Sequence, residues 1–388
     1  MAFKALALPS DITGVTLKAT DQHVRGLEGQ RVPQLQFIIQ RRSPLIGYVM
    51  LVLAIWGVSA LGAGVRMLGP IHPLLKSLWR CEFSLLIVTP WLLAAIITNP
   101  NCFSCLKDLH TVWLFFVTAV SSAGYAGFFV MSLGYTSMTT CFLLGNCHCL
   151  LIVGWRLCTG GNVSFLEGAG VIIGLSGAAV TVLDKEPQPP PMPHNELLLG
   201  VLGGSLPFNV DAEVFGAILA LVSGIFGAIY ITSAGMTRPK MEFSSFMWLL
   251  FLSHTILYTL SLVLLQMVSG QPVGAALTMG ADPHTGLFGW TSSHNIRATV
   301  MMGPVGTIFG MCCYIAVMKY LDSVVVSVAM LSEPFVGVAT GVLLHVSTWP
   351  GLFGWIGSVV SVFGALIVIL GTHRKSVSAI VSQQQQQL

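Results

Sequence analysis

Two residues in the run SVAMLSEPFVGVATGVLLH, Ser327 to His345, are chemically out of place. Glu333 and Pro334 stand inside an apolar stretch long enough to cross a bilayer. A carboxylate at that depth costs roughly 2.5–3.5 kcal/mol on insertion scales, so it must face a bundle interior or a wet cavity. Counting from Asp322 at about 1.5 Å per residue puts Glu333 ~16 Å into the segment, near the bilayer centre. Proline removes a backbone N–H and disfavours helical geometry in the residue before it. The pair predicts a discontinuous helix whose freed carbonyls can receive a substrate, an ion or water. The plainer alternative is one half of a buried ion pair beside a packing kink.

Other groups can take part in the same chemistry. Lys76 and Arg80 are four residues apart and share a helix face. A guanidinium grips a carboxylate or phosphate through two parallel hydrogen bonds, so the pair can attract an anionic substrate. The alternative has Lys76 snorkelling outward and Arg80 pairing with Glu82 or Glu333. His148, in NCHC, can hydrogen-bond a ligand or relay a proton, although a lone helix histidine is more often a satisfied packing residue. Trp56, Tyr230 and Tyr314 are candidate pocket aromatics, with lipid anchoring or packing as the alternative. Cys102 and Cys105 form a lone CxxC without two further ligands at zinc spacing, so no metal and no cofactor are expected. No phosphate loop, catalytic triad or paired acid and base stands out, and the chain does not read as an enzyme.

The elements that must position these groups are set by composition. Of 388 residues 54% are hydrophobic and 9% are charged, against about 25% charged in a soluble protein. Such a chain cannot cover a water-facing surface, and its solvent is lipid. The formal charge of +3 is too small and scattered to suggest nucleic acid. Apolar runs fall near 45–65, 73–98, 111–132, 136–155, 165–183, 213–233, 243–268, 297–318, 323–344 and 351–371. Each is about 20 residues, enough for a helix to cross ~30 Å of hydrocarbon. The expectation is an all-α membrane protein with ten transmembrane helices.

A basic tail, 1–44, precedes them, and a glutamine-rich end within 373–388 is expected to be disordered. With that basic tail cytoplasmic, Lys107, Arg156, Arg238, Lys240, Lys319, Arg374 and Lys375 gather on the same side. Only Arg66, Lys76, Lys185 and Arg297 fall on the other. That asymmetry predicts a multi-pass membrane protein with both termini cytoplasmic, in a plasma or internal membrane left open. The sequon Asn162-Val163-Ser164 then lies on the cytoplasmic side and stays unmodified.

The chain also repeats itself. LVLAIWG at 51–57 resembles LVSGIFG at 221–227, and GYTSMTTCFLLGNCHC at 134–149 aligns with KYLDSVVVSVAMLSEP at 319–334. The second match makes His148 the counterpart of Glu333. Two halves follow, 45–183 and 213–372, joined by an outer loop, 184–212. Five helices per half oblige the second copy to enter the membrane from the opposite side. Inverted repeats of this kind occur in transporters that bind substrate near the midplane.

Five plus five helices, PLLKSLWRCEFSLLIVTPWLL, YTSMTTCFLLGN and YLDSVVVSVAMLSEPFVGVATGVLL followed by GWIGSVVSVFGALIVIL resemble the EamA-type drug/metabolite transporter superfamily. Nucleotide-sugar and triose-phosphate translocators are its relatives. The resemblance covers about residues 45–372 and implies a secondary transporter of small organic metabolites working by alternating access. Its partners would be the lipid bilayer, a small-molecule substrate that can be anionic, and a proton or other coupling ion. A glycine-glutamate pair that often ends the fourth and ninth helices of such repeats is replaced here by RLCTGG and VLLHVS. Any role of that glutamate cannot be carried over. The alternatives are a nucleotide-sugar or phosphate-ester exchanger, which needs more cavity cations than Lys76, Arg80 and Lys319, and a non-transporting receptor or scaffold.

Overall fold

The computed structural model describes residues 44–385 except 70, 101, 160–162, 184–211, 270–279, 281, 285, 319, 322–325, 327–328 and 330–331. Nearly all of the 1–44 tail and the 184–212 loop, together with Asn162 and Asp322, lie outside the described residues. The described chain is helical: α1 (Pro44–Met67), α2 (Pro73–Thr98), α3 (Leu109–Ser132), α4 (Met138–Gly145), α5 (His148–Cys158), α6 (Phe165–Val182), α7 (Ala212–Thr237) and α8 (Phe243–Ser269). After these, α9 (Ile296–Val300) and α10 (Cys313–Val317) flank a π-helix at Met301–Cys312, followed by α11 (Glu333–Leu343) and α12 (Leu352–Gln385).

Seven candidate spans are long and apolar enough to cross a membrane: Leu45–Met67, Pro73–Thr98, Leu109–Ser132, Met138–Trp155, Glu213–Lys240, Phe243–Leu265 and Ile296–Val317. Phe165–Thr181, Glu333–Leu343 and Leu352–Val368 are shorter apolar helices. Helix α12 runs on through most of the 373–388 segment expected to be disordered. After Gly371 that stretch holds neither glycine nor proline, so the apolar helix before it propagates without a breaker.

Local chemistry sets the helix starts. His72 Nδ1 accepts from the Leu74 N–H at 3.3 Å while Pro73 takes the first turn, where its missing N–H costs nothing. Asp108 caps α3 through the His110 N–H and the Thr111 hydroxyl. Ser164 and Glu167 form a reciprocal capping box at α6.

The distribution of side chains is that of a protein solvated by lipid. Val52, Leu86, Leu93, Ile256, Leu260 and Phe363 are exposed, whereas Ser84, Thr118, Ser122, Ser223 and Thr237 are buried. In water such an apolar exterior would drive aggregation; against acyl chains it costs nothing. The buried hydroxyls work between helices: Ser84 Oγ meets Thr307 Oγ1 at 2.6 Å, and Ser223 Oγ donates to the Tyr125 carbonyl at 2.8 Å.

Helices pack in antiparallel pairs across the two sequence halves. Gly47 meets Tyr320, Gly57 meets Gly310 and Gly64 meets Met301, so α1 runs against the π-segment. Thr118 meets Thr237, Gly124 meets Phe226 and Gly216 meets Thr136, which sets α3 against α7. Thr89 with Trp248 joins α2 to α8, and Gly170, Gly174 and Gly177 seat α6 against Gly364, Ser361 and Gly357 of α12. Met138 with Gly341 and Phe142 with Gly337 bring α4 against α11. A Cβ built on Gly57 would stand 2.2 Å from the Gly310 nitrogen, so glycine there is what lets two backbones touch.

Candidate functional site

The fourth expected crossing, 136–155, is broken. Helix α4 ends at Gly145, α5 begins at His148, and Asn146 and Cys147 lie between. Asn146 is fully buried, and its backbone N–H still bonds the Phe142 carbonyl at 3.0 Å. On the facing strand of chain, α11 starts at Glu333 with Pro334 in its first turn. The proline therefore sits where a helix begins and needs no kink to be accommodated. A carboxylate in a first turn also interacts favourably with the positive end of the helix dipole.

The break at Asn146 and the start of α11 meet. Asn146 Nδ2 donates to Glu333 Oε2 at 2.6 Å, and Ser59 Oγ of α1 donates to the Glu333 backbone carbonyl at 3.3 Å. Tyr125 Oη of α3 donates to Asn146 Oδ1 at 3.0 Å, so a phenol, an amide and a carboxylate form one buried chain. Glu333 itself is 1% exposed. From Tyr125 an aromatic ladder continues through Tyr230 of α7 to Tyr314 of α10. Ring centroids are 6.3 Å apart at both steps, with planes 20° and 19° apart. His148 stands edge-on to Tyr125 at 6.0 Å, its Nδ1 3.3 Å from the Gly145 carbonyl and its Nε2 without a hydrogen-bond partner.

Arg80 reaches the same ladder from α2. It is 4% exposed, and its charge lies within electrostatic range of Tyr125, Tyr230, His254 and Tyr258. Neither carboxylate considered as a partner reaches it. Glu82 Oε2 accepts from Trp290 Nε1 at 3.0 Å, and Glu333 is engaged by Asn146.

Of the groups singled out in the sequence, Glu333, Pro334, His148, Tyr230, Tyr314 and Arg80 converge on this region, while two do not. Lys76 neither snorkels nor joins the site; buried at 2% exposure, it donates to the Gly69 carbonyl at 2.6 Å and ties down the α1–α2 turn. Trp56 is 44% exposed and packs on Phe309 at the periphery, a lipid-facing position. Asn146, Tyr125 and Ser122 were missed. The alignment that paired His148 with Glu333 was two residues from Asn146, which shows that polar residues at the matching break, and not one column, carried the signal. His254 is buried with neither ring nitrogen hydrogen-bonded among the described residues.

No family model and no curated protein matches this chain. A solved structure described only as "Crystal structure of protein" is similar in fold, with TM-score 0.52 and 18% identity over 85% of this chain and 97% of that one.

Proposed function

We propose that this protein is a secondary transporter of small organic metabolites in which two inverted five-helix halves alternate access to a site around Glu333 and Asn146. The observation that carries the reading is the meeting of a broken apolar segment, at Asn146, with the start of α11 from the other half, at a buried carboxylate and amide. Irregular backbone at membrane depth is tolerated where it is enclosed by protein or lines a cavity, which is where carriers bind.

The helix pairing supports the inverted repeat. Numbering the apolar segments one to ten, the pairs are one with eight, three with six, two with seven, four with nine and five with ten. Exchanging each segment for the one five along returns the same set. Every pair joins an odd segment to an even one and is antiparallel, as alternating passes require. The same pairing fits the expected grouping of loops by end, with His110 meeting Lys240 at one end and Arg66 reaching the Thr136 carbonyl at the other. An EamA-like carrier fits this arrangement, driven by an ion gradient, exchange or substrate flow.

Proteoliposome uptake over a metabolite panel tests the proposal. Saturable flux that falls at least about tenfold in Glu333→Gln is expected, since a neutral amide replaces the acidic group. Saturable flux untouched by that change removes Glu333 from the mechanism. Ligand-dependent stabilisation without flux favours a receptor on the same fold.

A further inference from the structure

Four buried side chains carry polar atoms that no described residue satisfies. They are Arg80 Nη2 on α2, Ser122 Oγ on α3, Tyr230 Oη on α7, and both ring nitrogens of His254 on α8. The Arg80 side chain makes no hydrogen bond, ion pair or ring contact with any described residue. Ser122 and Tyr230 lie on the packed α3–α7 pair between its Thr118–Thr237 and Gly124–Phe226 contacts, Arg80 and His254 lie on the packed α2–α8 pair, and the Arg80 charge is within electrostatic range of Tyr230 and His254.

Such a cluster is unfavourable as it stands. A guanidinium cannot shed its proton to escape burial, so the fold carries a whole uncompensated charge. Hydroxyls and an imidazole left without partners add to that cost. All four groups share one capacity, because each can donate a hydrogen bond. Four donors from four helices, one of them a permanent cation, are complementary to a group that is negative and rich in acceptors. The two hydroxyls and the imidazole can also accept, but the permanent charge of Arg80 repels a cation and favours an anion.

We infer that Arg80, His254, Tyr230 and Ser122 form an oxyanion subsite that takes a carboxylate or phosphate group of the transported molecule. The subsite rests on the transporter reading, since alternating exposure is what would bring a solute to atoms closed off here. It also separates two functions the sequence had joined. Lys76 is spent on the Gly69 carbonyl, and Arg80 alone keeps a free fork for a planar anion. Asn146 and Glu333 are joined to the ladder through Tyr125, leaving the rest of the ligand to be read there.

The test is thermal stabilisation of the full chain in neutral-lipid nanodiscs. The probes are benzoate and succinate for carboxylates, phenyl phosphate and glycerol phosphate for phosphates, and benzamide and glycerol as uncharged matches. One or both anion classes should raise the unfolding temperature while the uncharged matches do not. Arg80→Gln should weaken the apparent affinity by ~30-fold or more, yet leave the ligand-free protein as stable as wild type or more so, because a stranded charge is gone. A structural arginine would give the opposite, a loss of ligand-free stability. If Arg80→Gln does not fold, Ser122→Ala removes one hydroxyl from a site already unbonded and should still weaken anion binding by ~10-fold.

No stabilisation by either anion class, or stabilisation undiminished in these variants, overturns the subsite. Saturable flux of an uncharged metabolite beside absent anion binding discards the subsite and keeps the carrier. Anion binding without flux keeps the subsite and discards the carrier.

Discussion

Replacing Asn146 with alanine should destabilise the protein through two partners at once. Glu333 Oε2, fully buried, loses its donor at 2.6 Å, and Tyr125 Oη, on a partly buried side chain, loses its acceptor at 3.0 Å. A buried polar group left unsatisfied costs about 1–3 kcal/mol, so the combined loss is about 2–6 kcal/mol. With Glu333→Met already in place only the tyrosine remains to be stranded, and the cost of Asn146→Ala should fall to about 1–3 kcal/mol. The double-mutant cycle should therefore show a coupling of at least about 1 kcal/mol. Interhelical hydrogen bonds in a membrane average about 0.6 kcal/mol, so the expected coupling exceeds that norm because the acceptor is an acid in an enclosed site. The assay is reversible unfolding in mixed micelles for wild type, both single variants and the double variant. A coupling under about 0.3 kcal/mol, within ordinary additivity, would refute the claim that this amide holds this carboxylate.

Gly57→Ala should cost about 1–3 kcal/mol in the same assay, since its methyl group meets the Gly310 backbone; an unchanged unfolding midpoint would mean that the crossing is looser. Trp56→Ala should leave uptake unchanged, as its ring faces lipid, and a tenfold loss of flux would return it to the pocket wall. The Thr111 hydroxyl and the His110 N–H hold the Asp108 carboxyl below the usual carboxylate range. A depressed value means that this cap stabilises the fold above about pH 4 and that its contribution is lost as pH falls through the lowered value. Asp108→Asn, which can still cap, should therefore flatten the acid side of the stability profile, and an identical profile would show that the carboxyl contributes no pH dependence.

Much of this fold was written in hydropathy. Runs of about 20 apolar residues bounded by turn signals marked the seven long apolar helices, and α2 began and ended where expected, whereas the last helix runs on to Gln385. Interruptions were harder to see. Glu333–Pro334 announced itself because charge and proline are costly in lipid, whereas Asn146 is uncharged and its neighbours Gly145 and Cys147 are ordinary in membrane helices. Which basic residue serves a site was not legible either. Lys76 and Arg80 share a helix face, yet the turn at Gly69 bends back far enough to claim the lysine. That depends on a loop carbonyl, which no side-chain pattern encodes. Between the pocket and lipid-facing alternatives for Trp56, the exposed ring beside the Gly57–Gly310 contact fits the second. The π-helix at Met301–Cys312, with Pro304 inside it, left no periodicity signal because its turn is wider than the α-helical one.

The central claim is that the two halves rock about a closed middle, and paired spin labels across α3 and α7 test it most directly. Gly124 against Phe226 is the tight point of that pair; His110 with Lys240 marks one end, and Tyr135 with Phe215, rings 5.1 Å apart, marks the other. In nanodiscs, adding the solute identified by uptake should lengthen the label distance at one end and shorten it at the other. Distances that stay fixed, or that move in the same direction at both ends, would contradict alternating access.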